Sequence, residues 1–175
     1  MSQSVDVKIV PVDPFHPITG LLFPFLLKRM EEFAKIHYGD SLADPVRQVR
    51  EIASEWLLGN PGVLVLALLT SEGRLVGHVA TVMQQDAQSG KKWLFVLQCK
   101  LDEPGGDAIS RAIKYGEDFA RQRGASHLAF ETKRSDSAWA KAYGFKVVRH
   151  IMVKSLNGNE ATAAGAEASE GAKSD

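Results

Sequence analysis

The sequence predicts a mixed α/β (α+β) domain, and three observations carry that expectation. Residues 63–70 and 74–85 are apolar runs joined by Ser71-Glu72-Gly73, the pattern of a hairpin whose strands are covered on both faces. Residues 93–97 are a third apolar run, followed by an acidic turn with two glycines and then an amphipathic helix. In that helix Ile109, Ala112, Ile113, Gly116, Phe119 and Ala120 recur on one face. Strand, glycine turn and helix N-terminus together aim free N–H groups and a helix dipole at one point, which suits an anionic ligand. A plain strand-to-helix link with Asp107 as its N-cap is the alternative.

Taken in order, Val5, Val7 and Ile9 alternate with Asp6 and Lys8, a half-buried first strand ended by Pro11 and Pro14. A helix follows, with Leu26, Met30, Phe33 and Ile36 in period and Gly39 as its stop. Either Thr19 caps it or Pro24 occupies its first turn. Its early part, Ile18 to Leu27, is unusually apolar, which predicts either deep burial or a surface for a second copy or a protein partner. Asp44-Pro45 opens a second helix with Val46, Val49, Ala53, Trp56 and Leu57 on its buried face, broken at residues 59–62. The hairpin comes next, with His78 expected as a satisfied core histidine. Residues 86–91 turn the chain into the strand 92–100. After the glycine turn and its helix come a short strand at 127–132, a brief helix at 137–143 stopped by Gly144, and a last strand at 145–156. From Asn157 the chain holds six alanines, no bulky apolar residue, and four acids against one lysine. Such a segment buries too little surface to offset its ordering entropy, so residues 157–175 are expected to be a disordered tail after a domain spanning 1–156.

Composition narrows the classes. Twenty-one basic and twenty-one acidic residues cancel, so broad attraction to nucleic acid or to a membrane surface is not expected. The single cysteine, Cys99, forbids an internal disulfide and fits a reducing compartment. No signal peptide is visible and no apolar run would span a bilayer, so a cytoplasmic chain is expected. No metal-ligand spacing occurs.

The stretches LVLALLTSEGRLVGHVATV, FVLQCKLDEPGGDAISRAI and AYGFKVVRHIMVKSL, in this order, resemble the GNAT acyltransferase superfamily. The resemblance covers about residues 4–156. It implies a mostly antiparallel mixed sheet of about six to seven strands, flanked by about four helices and splayed between the fourth and fifth strands. It also implies that acetyl-coenzyme A (acetyl-CoA) enters the splay. Its pantetheine would pair with the strand edge at Leu97 and Cys99, and its diphosphate would rest on the amides of Gly105, Gly106, Asp107 and Ala108. An amine acceptor would then attack the thioester directly. The family's phosphate turn reads Gln/Arg-x-x-Gly-x-Gly/Ala, and Glu103 departs from it while Gly106 and Ala108 keep it. Asp102, Glu103 and Asp107 set three negative charges there against Lys100 and Arg111. Many members carry a tyrosine four residues before the late glycine, where this chain has Ala140. Tyr143 is left as candidate acid and Glu131 as candidate base.

Two functions follow. The first is an N-acyltransferase moving an acetyl group from acetyl-CoA to an unidentified amine. The second is a GNAT-like binding or structural module without catalysis, such as a phage- or virion-associated one.

Overall fold

The computed structural model describes residues 6–39, 44–87, 90–102, 107–130 and 141–147. Two compact units are present, Met1–Lys133 and Arg134–Asp175. The first holds a five-stranded sheet in the order β1-β2-β3-β4-β5, with β1 Val7–Pro11, β2 Val63–Thr70, β3 Leu75–Gln85, β4 Lys92–Leu101 and β5 His127–Phe130. The first four strands are antiparallel neighbours, and β5 runs parallel to β4. A parallel pair needs a crossover, which α3 (Ala108–Gln122) supplies. Five strands are described where six to seven were expected. Phe145, Lys146 and Val147 are described without strand structure, and the rest of the expected last strand lies outside the described residues.

Several of the described elements have a visible cause in the sequence. In the β2–β3 hairpin, Gly73 takes φ +84 and donates its N–H to Thr70 O at 2.9 Å, a conformation that a side chain would strain. Gly77 has a different reason: a Cβ there would meet Lys100 O at 2.4 Å, so β3 and β4 approach too closely for any other residue. The helix start left open between Thr19 and Pro24 is resolved as two elements. A 3₁₀ turn spans Thr19–Leu22, and α1 (Phe23–Tyr38) follows with Pro24 in its first turn. Asp44 Oδ1 accepts the Val46 N–H ahead of α2 (Arg47–Leu57).

Helices cover both faces of the sheet. Leu26, Met30 and Ala34 of α1 and Val49, Ile52 and Trp56 of α2 pack on Val65, Ala67 and Ala80 on one side. Ala112, Phe119 and Ala120 of α3 pack on Leu66, Val79 and Leu94 on the other. Strand β2 is therefore buried on both faces from Val63 to Leu68, as its unbroken apolar run predicts. The buried stripe of α3 is Ala108, Ala112, Gly116, Phe119 and Ala120, with Ile109 and Ile113 half-buried at its flank. Small residues hold the contact line and let the helix lie close to β4 and β5. Among the described residues no helix is long and apolar enough to cross a membrane.

Candidate functional site

The site is built on an irregularity in β4. Ala80 pairs with Gln98, but the next residue of β3, Thr81, pairs with Val96. Leu97 is thus an extra residue, a β-bulge that bends its strand and sharpens the local twist. The described part of the parallel ladder to β5 runs from Trp93–His127 to Val96–Phe130, which brings it up to the residue before the bulge. Below it the strands are held together, with the Trp93 ring stacked on His127 at 4.9 Å. Above it β4 runs on to Leu101, followed by Asp102 ahead of the N-terminus of α3, and the sheet has the mixed, mostly antiparallel order that the resemblance implied.

A buried polar chain fixes the bulge from the α1 side. Gln98, only 2% exposed, donates from Nε2 to Met30 O at 3.2 Å. Its Oε1 is left to accept from His78 Nε2 at 2.9 Å, so the histidine carries its proton on Nε2. His78 Nδ1 is then a buried acceptor with no partner among the described residues. The expected satisfied core histidine is half satisfied. Burial, above all, lowers its pKa to about 4; Gln98 raises it, and the charges of Arg29 and Lys100 lower it further. At neutral pH it is uncharged.

Charge at the head of the site is arranged differently from the sequence expectation. Asp102 forms an ion pair with Arg29 of α1 and lies 3.5 Å from Lys100 Nζ. Partial burial pushes its carboxyl up, but the hydrogen bond and charge of Arg29, with help from Lys100, outweigh that and hold it below the usual range. Asp107 precedes α3 but makes no side-chain cap bond. Its carboxylate accepts from Arg111 Nε at 2.9 Å, and the same guanidinium donates to Val7 O at 2.6 Å. Asp107 therefore stands at the N-cap position without capping the helix through its side chain. Two of the three acids at this turn are matched by cations.

Of the residues singled out from sequence, Leu97 is the bulge itself, half-buried against the α1–α2 core, and Cys99 lies two residues on, exposed. Asp107 and Ala108 stand at the start of α3, Ala108 fully buried. Gly105, Gly106 and Glu131 lie outside the described residues. Tyr143 belongs to the second unit, where it ends a helical turn before Gly144 at φ 72. Sequence reasoning missed Arg29 and Gln98. Gln98 did leave a signal, as the polar residue inside an apolar strand, since a buried amide demands partners. Arg29 left none, because its partner is 73 residues away.

No family model matches this sequence, and no curated protein matches it. Solved structures do. A proposed acetyl transferase from Pyrococcus furiosus is 18% identical, with a TM-score of 0.60 over 86% of this chain and 100% of that one. An acetyltransferase from Trypanosoma brucei is 14% identical, with a TM-score of 0.58 over 86% of this chain and 100% of its own. The aminoglycoside N-acetyltransferase AAC(6')-Iy, solved in complex with CoA, is 10% identical, with a TM-score of 0.62 over 90% of this chain and 99% of its own. At such identities the likeness speaks for architecture, and on architecture it agrees with the motifs: this chain has the GNAT acetyltransferase fold.

Proposed function

We propose that the chain is an N-acyltransferase that moves an acetyl group from acetyl-CoA to an amine by direct attack. The observation that carries this reading is the Leu97 bulge in β4, one residue past Val96, which pairs with Phe130 of β5. A strand that bends away from its neighbour keeps main-chain donors and acceptors available to an extended amide-bearing ligand. Leu97 and Cys99 are the residues assigned to the pantetheine. The amides of Gly105, Gly106, Asp107 and Ala108 are assigned to the diphosphate. The cations Arg29, Lys100 and Arg111 equal in number the acids Asp102, Glu103 and Asp107, so the backbone amides are the groups assigned to carry the diphosphate.

The bound thioester supplies the acetyl group. The chain's part is to hold the carbonyl beside the acceptor and to move protons. Glu131 is assigned to take the proton released as nitrogen bonds to the acetyl carbon, and Tyr143 to return one to the departing sulfur. Calorimetric titration with acetyl-CoA tests the first requirement. Saturable heat and a rise in melting temperature are expected, followed by release of free thiol only when a primary amine is added. No heat and no thermal shift at about millimolar ligand would overturn the proposal, since that equals less than about 4 kcal/mol of binding. The module reading would then stand.

A further inference from the structure

We infer that the outer face of the segment leading into α1 is a self-association surface, and that its occupant is a second copy of this chain. The apolar stretch expected to be either buried or available to a partner is both. Leu22, Phe23, Leu26 and Leu27 pack inward on the α1–α2 core. Phe15, Ile18, Leu21 and Phe25 remain 68%, 74%, 69% and 66% exposed. Ile18, Leu21 and Phe25 follow one another at i+3 and i+4 spacing through the 3₁₀ turn into α1, and Phe15 precedes them in a chain already wound by hydrogen bonds from His16 N to Asp13 O and from Gly20 N to His16 O.

The stripe is self-complementary. It is bounded by exposed Asp13 at one end and exposed Lys28 at the other. Two copies laid antiparallel about an axis beside Gly20 set Phe15 against Phe25 of the second copy and Ile18 against its Leu21. The same operation brings Asp13 to Lys28 of the second copy at both rims, an isologous contact. Four large side chains, each about two-thirds exposed, present on the order of 500 Å² of apolar surface per copy. Two copies would bury about 1,000 Å², the size at which specific association begins. Zero formal net charge leaves no long-range repulsion to oppose it. An interface at this lower bound is a weak, concentration-dependent dimer.

Sedimentation velocity of the full chain, from about 5 to about 500 µM, reads this directly. The sedimentation coefficient is expected to move from monomer toward dimer across that range. Phe25→Glu should hold the chain monomeric throughout, with an unchanged melting temperature at low concentration because the side chain is exposed. Lys28→Glu sets like charges at both rims. It should weaken the dimer at low salt and regain affinity as salt rises, opposite in sign to the native chain. A monomer at every concentration would overturn the inference. So would a dimer that survives Phe25→Glu, or a Lys28→Glu chain with native affinity and salt response. Binding of the native chain to lipid vesicles without self-association would also overturn it, and would assign the stripe to a membrane surface.

Discussion

Acidification should destabilise this fold through His78, whose side chain has no exposed surface. Burial chiefly, against the opposing pull of Gln98, sets its pKa at about 4 in the folded chain, against 6.5 ordinarily. The unfolded chain therefore takes up a proton below about 6.5 that the folded chain refuses until about 4. Stability is complete above the upper value, falls as pH drops between the two, and levels off below the lower one. The difference between the two values corresponds to about 3 kcal/mol. That is a large share of the roughly 5–15 kcal/mol a domain possesses. Carboxylates also titrate in this window, so the assay must isolate the histidine. Urea unfolding of the native chain and of His78→Gln, stepped from pH 7 to pH 4, does so by difference. The native chain should lose about 3 kcal/mol more than the variant over that range. Parallel curves would refute the reasoning, since they would mean that the buried imidazole accepts its proton as readily as an exposed one.

Three further outcomes follow from the same contacts. Gln98→Leu removes the partner of both Met30 O and His78 Nε2, and should cost about 2–4 kcal/mol in urea unfolding at pH 7. Gly116→Ala should raise stability by about 0.5–1 kcal/mol and lift the thermal midpoint. A Cβ there would find Leu94 and Leu128 at 3.8 Å, ordinary contact, and a helix interior favours alanine. Arg29→Met leaves Asp102 with Lys100 alone and should weaken acetyl-CoA binding by about 3- to 10-fold in calorimetry, with less effect at high salt.

What could be read from sequence divides along a physical line. The β2–β3 hairpin was legible because Gly73 needs a positive φ and both flanking runs are apolar, which are local facts. Helix α3 was legible because Ala112, Gly116, Phe119 and Ala120 repeat on one face, which is also a local fact. The bulge was not: residues 92–101 contain no glycine or proline to mark it, and it appears only in the pairing with β3, where Ala80 meets Gln98 but Thr81 meets Val96. The charge balance of the turn was misjudged because it was counted along the chain. Arg29 reaches Asp102 across 73 residues, and Arg111 draws Asp107 away from the helix amides that its position suggested it would cap. The apolar stretch before α1 was noticed, but which residues faced inward depended on where the 3₁₀ turn ended and α1 began.

The central claim is that β4, bent at Leu97 and parted from β5, is the edge that holds the acyl carrier. Amide NMR of the isotopically labelled chain titrated with acetyl-CoA tests it most directly, because it reports each backbone N–H separately. The account predicts the largest shifts at residues 97–101 and at the first amides of α3, Ala108 and Ile109, with β1 and β2 unmoved. Shifts concentrated elsewhere, or a spectrum unchanged at saturating ligand, would contradict it.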